Sequence, residues 1–233
     1  YQDSINVNGK RVRGRFYVVD SLKIGDLFFL NVPACVVDDK YSTFYPDSLN
    51  KEYTAKFDSI LSSTNVILGL PLLRMLGSVE FDWDKNRANI KLKEEILLSH
   101  EVPNIFLASS ALYGCFSING NDCVGLLDSG SNSYIDLVPS FYKRYANGIC
   151  LQSASKKGNM LGMATHDLDH EYRLVVNPEV LFGDKKIQLD DKVLVLADDQ
   201  PVRWRDGLVG LPFMRKLGSK VKFDFVNMRL TSE

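Results

Sequence analysis

The sequence predicts an all-β protein built as two related units, with a few short helices. Three observations carry that expectation. A segment is duplicated, short β-branched or aromatic runs are bounded by turn residues, and two Asn-Gly pairs sit between apolar stretches.

The duplication is direct. Residues 67–77 read ILGLPLLRMLG and residues 208–218 read LVGLPFMRKLG. One residue of slip later, Val79-Glu80-Phe81-Asp82 aligns with Val221-Lys222-Phe223-Asp224. Upstream, Leu22-Lys23-Ile24-Gly25-Asp26 resembles Val180-Leu181-Phe182-Gly183-Asp184. Stretches 15–19, 27–32, 34–37, 192–196 and 221–225 have the composition of strands, with Gly, Pro, Asn or Asp at their ends. Asn8-Gly9 and Asn119-Gly120 mark hairpin turns. Segments 71–76 and 212–217 open on Pro and end at Gly77 and Gly218, as short helices with a glycine stop do. A third helix is expected over 138–146, ended by Asn147-Gly148.

Composition limits the function classes. The 233 residues are 45% hydrophobic, 24% charged and 11% aromatic, which is ordinary for a globular chain able to bury a core. Twenty-eight basic residues against 29 acidic ones give no electrostatic reason to expect nucleic acid or an anionic membrane surface. No apolar run reaches the 18 or so residues of a bilayer span. The first residues show no basic flank leading into an apolar core, so no signal peptide is expected within the chain. Cys35, Cys115, Cys123 and Cys150 form no C-x-x-C pair, which argues against zinc and dithiol chemistry. Three disulfide pairings are open to them, and buried thiols acting as small hydrophobes are the simpler reading.

The second unit carries a piece the first lacks. After the Asn119-Gly120 hairpin comes an apolar run, 124–127, then Asp128-Ser129-Gly130-Ser131. Asp128 lies 55 residues before Gly183, and the same offset from Gly25 falls about 30 positions before Tyr1. The expectation is that the sequence begins inside its first unit.

Leu126-Leu127-Asp128-Ser129-Gly130-Ser131 resembles the active-site loop of aspartic proteases of the pepsin and retropepsin type. Leu208-Val209-Gly210 followed by 212–217, and again Ile67-Leu68-Gly69 followed by 71–76, resemble that superfamily's apolar-apolar-Gly strand and short helix. The pattern is similar to bacterial retropepsin-like proteins with two fused lobes. The resemblance implies a pepsin/retropepsin-like acid-protease barrel. Residues 1–93 would be a partial first lobe lacking its Asp loop, 94–111 a connector, and 112–233 a complete second lobe.

It further implies an aspartic-type endopeptidase acting on a peptide or protein, with no cofactor or metal and an exported (periplasmic or extracellular) location. Asp128 would be one member of the catalytic pair, with Ser129, Gly130 and Ser131 completing its loop. The chemistry needs two carboxyls about 3 Å apart that share a proton, because two like charges so close cannot both ionise. The ionised member takes a proton from water and the other supports the carbonyl oxygen as charge develops. By the same resemblance, segment 4–16 with its Asn8-Gly9 turn is the candidate flap, against an ordinary surface hairpin. Segment 158–165 is its counterpart in the second lobe.

The sequence holds one Asp-Ser-Gly where this chemistry needs two. Asp20-Ser21, Asp47-Ser48 and Asp58-Ser59 lack the glycine, and Asp82 and Asp224 suit turn-fixing roles. Three accounts stay open: a second aspartate upstream of Tyr1, a homodimer in which Asp128 faces its own mate, and a non-catalytic peptide-binding module of the same fold. A two-lobe monomer is favoured over the homodimer, since a dimer would leave 1–93 superfluous. His166 and His170 lack the Glu of a H-E-x-x-H site and read as a solvated polar loop. No nucleophile elbow, G-x-G-x-x-G or Walker pattern is present.

Overall fold

The computed structural model describes residues 2–7, 10–37, 66–97, 102–108, 111–159, 169–197 and 205–233. The chain divides into two units, 1–66 with 159–169, and 67–158 with 170–233. It is all-β with short helices, as expected.

In the first unit, β1 (Gln2–Val7), β2 (Lys10–Ile24) and β3 (Leu27–Val37) form an antiparallel meander. Val7 stands opposite Lys10. Asn8 and Gly9, the expected turn, lie outside the described residues, as do most of 158–165, Asp47, Asp58 and His166. β3 runs unbroken through Pro33, where two strands were expected. Among the described residues β3 pairs only with β2, and an edge strand tolerates a residue with no N–H to donate.

The second unit is built on a ten-stranded sheet. β7 (Ala111–Ile118) and β8 (Asn121–Asp128) make the expected hairpin, with Asn119 and Gly120 both at positive φ, 49° and 76°. Such a turn matches the right-handed twist of the strands it joins. β15 (Gly207–Gly210) lies between β8, to which it is parallel, and β9 (Ile135–Leu137), to which it is antiparallel. β14 (Val193–Leu196) continues the sheet on the far side of β9. α2 (Pro139–Tyr145) and α3 (Leu211–Leu217) each place Pro in the first turn, where a missing N–H costs nothing. Phe141 of α2 and Phe213 of α3 are fully buried and join Ile118, Ile135, Val180 and Val209 in one core.

α1 spans only Leu70–Leu73, shorter than the 71–76 expected. The glycines after the repeated helices also act differently from a left-handed stop. Gly218 has φ 169°, which is extended backbone. A Cβ there would lie 2.1 Å from the Glu233 carbonyl oxygen, and one on Gly77 would lie 2.7 Å from Lys93 backbone. Both glycines are needed for close backbone approach.

The two copies of the repeat meet each other. β4 (Ser78–Asp82) pairs antiparallel with β16 (Lys220–Asp224), flanked by β5 (Arg87–Lys91) and β17 (Arg229–Ser232). Val79 faces Phe223, Phe81 faces Val221, and Glu80 faces Lys222, its own counterpart. A local two-fold therefore passes between Glu80 and Lys222. The hydrogen bonds obey it: Trp83 N–H donates to the Ser219 carbonyl at 2.9 Å, and Phe225 N–H to the Gly77 carbonyl at 3.0 Å. Asp82 accepts from Lys85 N–H and Asp224 from Asn227 N–H, so both fix turns, as expected. Asn86 and Met228, the paired turn ends, share positive φ of 47° and 52°. This is the self-complementary contact of a symmetric dimer, made within one chain.

Phe81 and Phe223 pack edge to face across this seam, centroids 6.0 Å apart. Truncating Phe223 to Ala should cost about 3 kcal/mol or more. A double-mutant cycle with Phe81→Ala, read by urea unfolding, should show a coupling of about 1 kcal/mol. Strict additivity would mean the seam does not hold the two copies together.

Candidate functional site

The Asp128 loop follows from its surroundings. β8 alternates, with Cys123 and Gly125 buried, and delivers Asp128 half-buried at its C-terminal end. Ser129 and Gly130 form the turn and Ser131 follows it. Gly130 N–H donates to Asp128 Oδ1 at 2.8 Å, and Ser131 N–H to the Asp128 carbonyl at 3.2 Å. A Cβ on Gly130 would come within 3.2 Å of that carboxyl oxygen, so glycine allows the backbone to close on the acid. Among the described residues, Asp128 makes no ion pair.

β15 supports the loop from below. Gly210 is opposite Asp128 in the sheet register. Its N–H donates to the Tyr134 carbonyl at 3.1 Å, and Leu211 N–H donates to the Ser131 carbonyl at 3.0 Å. A Cβ on Gly210 would fall 2.0 Å from the Ser133 carbonyl oxygen. Ser131 Oγ accepts from Ser133 N–H at 3.2 Å and closes the loop's far side. The carboxyl thus stands on a hydrogen-bonded frame of sheet rather than on a mobile tip. Beside the loop lies an open depression of about 560 Å3, walled by residues 129–132, Tyr134 and one face of α3.

Other sequence candidates are placed elsewhere. Asp20 lies within β2, and His170 within β11 (Asp169–Leu174). The four cysteines are free thiols; Cys115 and Cys123 sit on neighbouring strands but not opposite each other. Burial holds the Cys123 thiol well above its usual range.

One residue escaped the sequence reading. Asp136, on β9, is buried in the core, and its Oδ1 has no partner among the described residues. Burial pushes its carboxyl up to about 6 from 3.8, against a smaller opposing effect of a hydrogen bond from the Ser133 side chain. An acid set inside the apolar run Tyr134-Ile135-Asp136-Leu137-Val138 was the available signal. Through Ser133, Asp136 anchors the base of the Asp128 loop to the sheet.

No family model matches the chain. No curated protein matches it. Among solved structures it is similar to the EIAV protease in complex with the inhibitor HBY-793, at 17% identity and a TM-score of 0.32, over 48% of this chain and 92% of that one.

Two expected outcomes follow from the site. Gly210→Ala should lower the melting temperature by several degrees, since the loop backbone must move to admit a methyl group; an unchanged melt would remove β15 as the loop's support. Asp136 is stabilising while protonated: its contribution is complete below about pH 3.8 and is lost as pH rises through about 6. That swing is about 3 kcal/mol at one charge. Its strand neighbours across β14 and β15 are Leu194 and Leu208, which bring no compensating charge. Urea unfolding at pH 4 and pH 7 should show that stability difference shrink in Asp136→Asn.

Proposed function

We propose that this chain is the Asp128-bearing portion of an aspartic-type endopeptidase. The observation that carries this reading is the Asp128 loop itself. An acid sits at a strand end, its carboxyl closed on by Gly130 N–H, over a glycine-ended strand threaded between the two strands that flank the loop. That arrangement fixes one carboxyl rigidly at the edge of an open depression, as water activation requires.

The reading needs a second carboxyl within about 3 Å of the first. The local two-fold between Glu80 and Lys222 supports two fused lobes, residues 1–93 and 112–233, joined by 94–111. It supports a second loop over the matching segment of the first copy. Ile67-Leu68-Gly69 repeats Leu208-Val209-Gly210, yet among the described residues it has no flanking strands, and Ile67 is 69% exposed where Leu208 is 5% exposed. A loop equivalent to 128–134, expected upstream of Tyr1, would cover it. With both carboxyls present, Asp128 shares one proton with its partner. One accepts a proton from water, which attacks the peptide carbonyl, and the other donates to the developing oxyanion.

No helix among the described residues is long and apolar enough to cross a membrane. The other reading, a peptide-binding module without turnover, keeps the same loop as a scaffold.

The full-length protein should cleave an unfolded protein substrate at some pH between about 3 and 7, and pepstatin should block the cleavage. Asp128→Asn should lower kcat by about a thousandfold or more with an unchanged melting temperature. Absence of cleavage across that range would leave only the binding module, and activity surviving Asp128→Asn would remove Asp128 from the chemistry.

A further inference from the structure

The lining of the depression beside the Asp128 loop carries cations. Arg215 and Lys216 on α3 line it, together with the hydroxyls of Ser129 and Ser131; among the described residues no acidic side chain lines it, and the Asp128 carboxyl stands beside it. Arg215 stacks on the Trp83 ring, with its guanidinium carbon 5.3 Å from the centroid. That contact fixes the plane of its donors before any ligand arrives. Lys192 adds a third cation nearby, 5.6 Å over the Tyr134 ring. Among the described residues neither Arg215 nor Lys216 has a carboxylate partner.

The internal repeat shows which of these charges the fold itself requires. Arg215 has Arg74 as its counterpart, so an arginine recurs there. Lys216 has Met75, which lies past the end of the shorter α1, so the repeat does not keep a cation at this position. An exposed lysine with no carboxylate partner among the described residues, beside a pre-oriented arginine, is a receptor for negative charge. The depression is open along the surface, which suits a side chain of an extended peptide better than an enclosed small molecule.

We infer that this depression is a subsite for an acidic residue of a bound peptide, its carboxylate held by Arg215 and Lys216. The inference rests on the peptidase reading, in that Asp128 marks where the peptide runs, and it names the substrate class: chains with Asp or Glu a few residues from the bond beside Asp128.

The test uses full-length protein carrying Asp128→Asn, so that cleavage does not interfere. Labelled octapeptides with Glu placed at each position in turn, and their Gln counterparts, are titrated by fluorescence anisotropy at low and high salt. At least one Glu peptide should bind about fivefold tighter than its Gln twin at low salt, and less so at high salt. Lys216→Gln should erase the preference. Lys216→Glu should turn it toward a Lys peptide, with thermal melts confirming that both variants fold. Equal affinity of Glu and Gln peptides, no peptide binding, or a Glu preference that survives both substitutions overturns the subsite. Charge-selective binding without any cleavage by the unsubstituted protein keeps the subsite and removes the peptidase reading. Cleavage indifferent to acidic residues does the reverse.

Discussion

A carbon atom added to Gly210 would lie 2.0 Å from the Ser133 carbonyl oxygen, and one added to Gly207 would lie 2.5 Å from that of Asp136. β15 therefore has no room for a side chain at either end. Between those ends Leu208 and Val209 are buried, so the strand is held by apolar packing and by sheet hydrogen bonds on both sides. The strands it separates, β8 and β9, are the two that carry the Asp128 loop. Closing the loop and inserting the strand are one geometric event. The acid gains its rigidity from backbone contact rather than from a network of polar side chains, which leaves the carboxyl oxygens available at the surface.

The seam between β4 and β16 has the same economy. A short strand and its copy pair about a two-fold, so the backbone pairings off the axis occur in twos. The Val–Phe pairings, the two Asp-fixed turns and the two strand-end hydrogen bonds all obey it. At the axis, where a true dimer would set two identical residues together, this chain has Glu80 facing Lys222. Lys222 also reaches Glu94 at 2.9 Å, and Glu94 accepts from the Ser78 hydroxyl at 2.6 Å. A fused pair can diverge at its axis to opposite charges, whereas identical chains would bring like charges together there.

Much of this was legible because it rests on local pattern. Asn119-Gly120 forces a particular turn, Pro212 opens a helix, and Asp128-Ser129-Gly130 makes its own hydrogen bond within three residues. What escaped depends on contacts far apart in sequence. Gly218 looked like a helix stop, but its reason is the close approach of the Glu233 backbone. β3 looked broken at Pro33, but its edge position among the described residues removes the penalty. Asp136 drew no reading from the sequence, because only the sheet on both sides of it, closed by strands much later in the chain, buries it. The cationic rim needed the tertiary placement of α3 beside a loop 80 residues upstream.

The repeat also supplies an internal comparison of what the Asp128 loop does for its strand. Leu208-Val209-Gly210 and Ile67-Leu68-Gly69 are nearly the same sequence in two environments. With flanking strands, Leu208 and Val209 are at most 5% exposed; Ile67 and Leu68, which have none among the described residues, are 69% and 38% exposed. Burying a large aliphatic side chain is worth about 1.5–3 kcal/mol. The bare copy therefore forgoes a few kcal/mol that its twin realises, along with the hydrogen bonds of two strand edges.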